Sequence, residues 1–242
     1  MSSLPCITDE GANPGPTRDA LYPVQRVYRV QHADEWLLVV DKPAGMLSVA
    51  GRGPAGEDCL HGRLCRRWPD AMVVHRLDMA TSGLMVFARG AQAQRILSRA
   101  FAERAVDKRY VAVVAGRPQA GEPDSEGWTT IDLPLAADWP ARPRQKVDAV
   151  NGRPSLTRWR MAEVARCAWE GGTRLELQPV TGRSHQLRVH LSTIGHPIVG
   201  DTLYAPAPIA GAAPRLLLHA ERLALAHPAD GRPLSWRCAA PF

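Results

Sequence analysis

The chain has 242 residues, and its 30 Lys and Arg against 24 Asp and Glu give a formal net charge of +6. Arg supplies nearly all of the positive charge, which suits phosphate and nucleic-acid partners, although biased codon usage would produce the same ratio. The cysteines are scattered, no apolar run is long enough to span a membrane, and no signal-peptide pattern opens the chain. We therefore expect a cytoplasmic protein with reduced thiols.

The first half of the chain predicts strands joined by polar loops. WLLVVDKPAGMLSV, at 36–49, is typical of a strand, a Lys-Pro-Ala-Gly turn and a second strand, and a basic helix is expected near 58–68. Two apolar runs, 72–74 and 84–88, predict core strands on either side of a polar loop. Apolar residues at helical spacing then predict an amphipathic helix over 91–104.

The second half continues the strand-rich pattern around a basic, Pro-rich stretch. A helix is expected to start near Ser184, because Leu187, Leu191 and Ile194 follow a helical spacing, and to end at Gly195. The predicted strands are 108–116, part of WTTIDLPL after residue 127, 155–164, 173–178, and two closing strands in RLLLHA and RLALAHP.

These elements predict a single α+β domain over 24–242, preceded by a loosely ordered arm at 1–23 that is rich in Pro, Gly and Ser. The alternation of strands and helices is too sparse for a doubly wound sheet. We therefore expect a mixed, largely antiparallel sheet flanked by helices and loops.

The polar loop HRLD, at 75–78, carries the first candidate for chemistry. Asp78 is enclosed by apolar sequence, and a buried carboxylate is costly without a cationic partner. Arg76 is too near in sequence to face it in extended chain, so Arg183 is the candidate partner. Two interpretations stay open at this point, a structural ion pair that fixes the loop and a functional carboxylate.

The spacing of the other candidate functional residues supports a chemical role less strongly than that of Asp78. Tyr110 opens a strand, where packing is the usual role of a tyrosine. His185 and His190 are five residues apart without an intervening acid, so a metal site is not expected, and contact with phosphate or a polar helix surface is favoured. The sequence also lacks nucleotide-binding loops and a nucleophile elbow. The residues indicate an RNA- or DNA-handling protein without naming a reaction.

Five segments in order resemble the motifs of the RluA family of RNA pseudouridine synthases. HRLDMATSGLMVFA resembles its catalytic signature, KRYVAVVAG its tyrosine motif and TGRSHQLRVHLSTIGHPIVGDTLY its arginine motif. DKPAGMLSV and RLLLHA are similar to the first and closing strands of that family. The resemblance implies an active-site cleft across the sheet and an isomerase that needs neither metal nor organic cofactor.

The resemblance also implies roles for single residues. Asp78 would act on the ribose or the base, as nucleophile or as base, Arg183 would hold it ionised, and Tyr110 would stack on the flipped uracil and help to remove its C5 proton. Arg76 would fill the stack that the extruded base vacates. The expected contacts to RNA phosphates are made by Arg142, Arg144, Lys146 and His185.

The short catalytic core, without an S4-type domain, resembles the dual-specificity branch that modifies 23S rRNA and uridine 32 of the tRNA anticodon stem-loop. We expect a monomer with RNA as its partner and no obligate protein partner. The alternatives are a synthase with a different RNA target, a non-catalytic RNA-binding or RNA-folding protein of the same fold, and a metal-dependent hydrolase, whose ligands the sequence lacks.

Overall fold

The computed structural model describes residues 27–51, 58–119, 121–162 and 169–242; the predicted arm at 1–23 lies outside these ranges. The helices are α1 (Leu60–Cys65), α2 (Gly90–Ala102), α3 (Gln186–Thr193) and α4 (Ala207–Ala210). The strands are β1 (Arg29–Ala33), β2 (Leu37–Lys42), β3 (Ala71–Val73), β4 (Ser82–Arg89), β5 (Asp107–Ala115), β6 (Thr129–Asp132), β7 (Leu135–Ala137), β8 (Gln145–Val147), β9 (Leu156–Met161), β10 (Gly172–Pro179), β11 (Leu218–Ala226) and β12 (Pro233–Arg237).

One large mixed sheet organises the molecule. Its strands follow the order β1-β2-β4-β11-β5-β10-β9-β6, with β3 paired to β4 and β12 paired to β11. Among the described strand pairs, β4 and β11 run parallel and the others run antiparallel. A separate hairpin joins β7 to β8. The prediction of a mixed, largely antiparallel sheet is confirmed.

The central strands are apolar because both faces of the sheet are covered. Leu84 to Ala88 of β4 are fully buried, as are the four apolar residues that open β2. Helix α2 covers one face, with Ala93 and Leu97 in the same core cluster as Leu84 and Val86. Full burial of each such side chain contributes about 1.5–3 kcal/mol, so this packing fixes the strands on which the site is built.

A glycine permits the close parallel contact between β4 and β11. Gly83 lies opposite Ala220, and a Cβ at position 83 would stand 2.3 Å from the Ala220 carbonyl oxygen. Its φ of +111° also lies in the region that side chains disfavour. The Thr-Ser-Gly segment after Asp78 therefore anchors the HRLD loop where β4 meets β11.

The structure confirms both long predicted helices, as α2 and α3, and corrects three strand predictions. The segment 46–49 is not a strand; Leu47 makes only an isolated bridge with Cys59. RLLLHA and RLALAHP belong to one strand, β11, whose pairing with β5 shifts between Ala220 and Arg222. This irregularity leaves charged Glu221 inside a continuous strand, whereas the sequence pattern predicts a break between two strands at this position. Strands β1, β8 and β12 have no counterpart among the predicted strands. Within the described ranges, no helix combines the length and apolarity needed to cross a membrane.

Candidate active site

A cavity of about 720 Å³ opens over the ends of β4, β5 and β10 and the start of α3. Its volume is in the range of small-molecule and cofactor sites. Residues predicted separately from the sequence meet in its lining, and they are Arg76, Asp78, Tyr110, Arg183 and His185.

The loop that carries Asp78 is held by backbone contacts on both sides. The buried Lys42 ammonium donates to the Met46 and Met79 carbonyls at 2.8 and 3.2 Å, and the Gly45 N–H donates to the Met79 carbonyl at 2.8 Å. On the other side, the Ser48 hydroxyl donates to the Leu77 carbonyl at 2.6 Å and accepts from the Leu77 N–H at 3.1 Å. The Lys-Pro-Ala-Gly turn therefore holds the residue after Asp78, and Ser48, shortly after the turn, holds the residue before it.

Arg188 is the cation beside Asp78. Its Nη1 lies 3.6 Å from Asp78 Oδ2, an ion-pair distance longer than a hydrogen bond. Its Nε and Nη2 donate to Asp201 at 2.8 and 2.6 Å, in a bidentate pair whose side chains are 4% and 0% exposed. Arg188 is therefore fixed in place by Asp201 and presents one edge to Asp78.

The predicted Asp78–Arg183 pair is wrong. Arg183 is exposed, its Nε donates to the Pro154 carbonyl at 3.3 Å, and its backbone N–H donates to Gln186. The guanidinium therefore lies at the rim of the cavity. The sequence favoured Arg183 because it precedes the helix, whereas the first turn of α3 points the next arginine, Arg188, inward between Leu187 and Val189.

His185 was expected on a polar helix surface or in contact with phosphate, but it lies against Asp78. It adopts a left-handed φ of 55° just before α3, and its Nε2 lies 3.9 Å from Asp78 Oδ1. Its Nδ1 is 2.6 Å from the Tyr204 hydroxyl, which also accepts a hydrogen bond from the Gln145 N–H at 2.8 Å. Burial lowers the pKa of His185 against the opposing effect of the Asp78 charge, so the ring is neutral at pH 7. With Tyr204 as donor to Nδ1, the ring proton lies on Nε2 and faces Asp78.

Tyr110 reaches the same cavity from β5. Burial first, and then the negative charge of Asp78, raise the pKa of its hydroxyl well above the ordinary value. The hydroxyl is therefore protonated at neutral pH. A neutral phenol can donate a hydrogen bond or pass a proton on, but it is a poor base by itself.

The mouth of the cavity is electropositive. Arg76 and Arg104 are exposed at its rim and Lys108 lines it, so cations outnumber the lining carboxylates Asp78 and Asp107. Burial lowers the pKa of Lys108. Such a rim attracts an anionic polymer to the opening while the carboxylates remain inside.

A basic hairpin stands beside this mouth. Arg142, Arg144 and Lys146 are exposed in the β7–β8 segment, in agreement with the expectation of a solvent-facing basic loop. The Arg142 guanidinium stacks over Trp139, and that of Arg144 lies over Tyr204 at 5.4 Å from the ring centroid. Tyr204 thus contacts both the hairpin and His185.

One cluster with metal-binding residue types lies elsewhere in the described chain. Potential ligand atoms of Asp41, His219 and Cys238 lie within 4.8 Å of one another. However, His219 uses both ring nitrogens, one with the Ser82 hydroxyl at 2.8 Å and one with the Cys238 carbonyl at 3.0 Å. Burial, followed by the Asp41 charge, raises the pKa of the Cys238 thiol to about 11. The group fits a hydrogen-bonded core better than a metal centre.

Sequence reasoning missed Arg188, Asp201 and Tyr204. Arg188 had a signal, because a charged residue between two apolar helix positions predicts a buried pair. Asp201 and Tyr204 had no local signal, since they follow the helix in an irregular segment and reach the site only through the tertiary fold.

Comparisons with known proteins agree with this geometry. A family model described as RNA pseudouridylate synthase matches residues 36–193, more than half of the chain. The chain belongs to this family. It is similar to the dual-specificity RNA pseudouridine synthase RluA of Escherichia coli (strain K12), with 46% identity over 88% of this chain and 93% of the relative. For the protein of the same name from Yersinia pestis, the identity is 45%, over 88% of this chain and 99% of the relative.

Solved structures support the same assignment. Human RNA pseudouridylate synthase domain containing 1 superposes with a TM-score of 0.71 at 28% identity, covering 96% of this chain and 87% of the human chain. Human RNA pseudouridylate synthase domain containing 4 gives a TM-score of 0.65 at 25% identity, covering 93% and 91%. This chain is an RNA pseudouridine synthase, an isomerase that acts on RNA.

Proposed function

We propose that Asp78 is the catalytic carboxylate of this synthase. The observation that carries the proposal is its position in the cavity, 3.6 Å from a guanidinium that a second, fully buried carboxylate holds in place. Nucleophilic or base chemistry requires an accessible carboxylate oxygen, and the fixed guanidinium is placed to orient that oxygen.

The reaction needs only groups that this chain supplies. The N-glycosidic bond of the target uridine breaks, the uracil turns while it is held, and a bond forms between C5 and C1′. The proton on C5 is then lost and N1 becomes an N–H, so the base keeps its atoms and no redox equivalent is needed. Asp78 acts as nucleophile or as base in this sequence; both roles use the same ionised oxygen.

Tyr110 supports the base and relays the proton. Its ring is in the cavity beside Asp78, where stacking on the uracil is possible. Because burial raises the pKa of its hydroxyl, Tyr110 accepts the C5 proton only if its own proton passes to an acceptor. The charge of Asp78, which also lines the cavity, raises the pKa of Tyr110, so the two groups are close enough to interact. Asp78 is therefore the acceptor we assign to the Tyr110 proton.

RNA would enter over the electropositive rim. Arg76 is exposed beside Asp78 and is suited to occupy the stack left by the extruded uridine. Arg142, Arg144 and Lys146 would hold phosphates of the stem, and Arg183 at the rim would add another such contact. His185 is better suited to orienting Asp78 than to holding a phosphate.

We further propose that the targets are a 23S rRNA site and uridine 32 of the tRNA anticodon stem-loop. Support comes from similarity to relatives named dual-specificity synthases over 88% of the chain. Residues 24–242, which include the segment 36–193 matched by the family model, would form the catalytic domain and work as a cytoplasmic monomer.

The decisive test replaces Asp78 with Asn, which keeps the shape and removes the charge. Pseudouridine in an anticodon stem-loop transcript should fall to background, while folding and RNA affinity stay within a few-fold of wild type. The matched control is Asp107→Asn, the other carboxylate lining the cavity. Turnover by purified Asp78→Asn protein, or equal loss in both variants, contradicts the assignment.

A further inference from the structure

The sheet carries a second group of arginines away from the catalytic cavity. Arg222 on β11 lies directly opposite Arg109 on β5 and directly opposite Arg237 on β12. Side chains in such register are close neighbours, and like charges directly opposite each other destabilise a sheet. This row of three arginines is therefore costly to the isolated protein.

The row borders a cavity of about 260 Å³. Four guanidinium groups line it, the three of the row and that of Arg160, against two carboxylates, Glu176 and Glu221. Arg109 and Tyr110 are successive residues of β5, so their side chains leave opposite faces of the strand. Arg109 and Val111 place the arginine cavity on one face of β5, and the Tyr110 side chain leaves the other face, although Tyr110 is part of both cavity linings.

The carboxylates present do not use all of the donors. Arg160 pairs with Glu176 at 2.7 Å, whereas Arg237 is 3.5 Å from Glu221 with a side chain that is 75% exposed. Arg109 Nε lies 3.3 Å from Asp107, but its Nη1 is buried without a hydrogen-bond partner. Within the described residues, Arg222 has no ion-pair partner. A buried donor without an acceptor is unfavourable, so an anion that accepts a hydrogen bond from Arg109 Nη1 would stabilise this cavity.

A tryptophan positions two of the guanidinium groups without using their N–H donors. The guanidinium carbons of Arg109 and Arg160 lie 4.7 and 4.4 Å from the ring centroid of Trp128, which is 3% exposed. Stacking holds the planar groups by their faces, so their edges remain oriented for hydrogen bonds; part of each edge is taken by Asp107 or Glu176.

We propose that this surface, the arginine row (Arg109, Arg222 and Arg237 with Arg160), binds a phosphodiester of the RNA substrate. Arg222 and Arg237 are exposed, so the site is open along the sheet and suits a polymer backbone better than an enclosed free ion. An RNA already held in the catalytic cavity would reach this site only if it is long enough to pass around the edge of the sheet, whereas a free single strand could bind it directly. The proposal rests on the chain acting on RNA, and not on the role of Asp78.

The test is equilibrium binding of two RNAs at several salt concentrations, a short hairpin and a long rRNA transcript containing that hairpin. Wild type should show the steeper salt dependence on the long transcript. Arg222→Gln with Arg237→Gln should reduce that slope by about two, since each lost phosphate contact removes about one, and leave the hairpin slope unchanged. The matched control is Arg232→Gln, an exposed arginine at the β11–β12 turn.

An unchanged slope on the long transcript, or equal reductions on both RNAs, overturns the proposal. A second measurement separates RNA from free phosphate through the Trp128 indole resonance, which reports on the stacked arginines. Single-stranded oligouridylate should shift it in the wild type, whereas the same concentration of inorganic phosphate should not; a shift with inorganic phosphate alone overturns the assignment to RNA. Since both readouts are binding, they stay interpretable even if pseudouridine formation by the wild type is never detected.

Discussion

Replacing Arg188 with Gln should be the most destructive single change in the arginine motif. The side chains of Arg188 and Asp201 are 4% and 0% exposed and share two hydrogen bonds of 2.8 and 2.6 Å. Removing the cation leaves Asp201 charged and buried, which costs about 3–5 kcal/mol. Arg183→Gln is the matched comparison, because its exposed side chain makes one carbonyl contact and should cost at most about 1 kcal/mol.

Urea unfolding measures both free energies, and the double variant Arg188→Gln with Asp201→Asn tests the reasoning. If the loss comes from a stranded charge, neutralising Asp201 should recover a large part of it. The recovered protein should still be slow, because Asp78 has lost its neighbouring cation, and misplacement of a reacting group by about 1 Å costs on the order of 100-fold in rate.

Equal destabilisation by Arg183→Gln and Arg188→Gln would refute the assignment of Arg188 as the buried partner. Full turnover in the double variant would show that Asp78 does not need this cation. Neither result would bear on whether Asp78 itself is catalytic, which the asparagine variant decides.

Three further predictions follow from single contacts. Burial lowers the pKa of His75 to about 3, so on acidification the unfolded state binds a proton at this ring before the folded state does. The free energy of unfolding should therefore fall by about 1.4 kcal/mol per pH unit as the pH drops below 6.5. Urea titrations at several pH values should show this contribution in the wild type and not in His75→Gln. Tyr204→Phe should keep the fold within about 1–2 kcal/mol yet slow turnover, because His185 loses the donor that fixes its ring proton; normal kinetics would argue against this role. Gly83→Ala should lower the free energy of unfolding by more than about 3 kcal/mol, measured by denaturant, since its Cβ would meet a backbone oxygen at 2.3 Å.

The sequence predicted the fold best where local pattern and tertiary role coincide. Helix α2 and strands β4 and β5 were anticipated within one or two residues, because their apolar spacing is also their packing. The pattern failed at β11, where a shifted register leaves charged residues inside a strand, and at 46–49, where Met46 packs in the core although the segment does not join the sheet as a strand. Register and bulges depend on partner strands, which the sequence of one segment does not contain.

The residues of the candidate site also fall into those that the sequence could indicate and those that it could not. Asp78 and Tyr110 could be singled out because they stand in recognisable segments. The cation beside Asp78 could not be chosen between Arg183 and Arg188 without the left-handed residue at 185, which turns the start of α3 and decides which arginine faces inward. Spacing along the chain identifies candidates; only the backbone conformation decides between them.

Residues on both sides of Asp78, and not the Asp78 side chain that we propose is catalytic, make the contacts that hold the polar loop between β3 and β4. His75 accepts a hydrogen bond from the Val86 N–H at 3.0 Å, at the point where β3 ends, and its ring stacks on Phe101. Ser48 holds the next core residue of the loop, and the buried Lys42 ammonium holds the carbonyl that follows Asp78. Because His75, Ser48 and Lys42 hold the loop, the Asp78 carboxylate keeps its position without having to make those contacts itself. A loop that only turned the chain would not need a buried lysine or a histidine on a strand, whereas precise placement of a reacting carboxylate does.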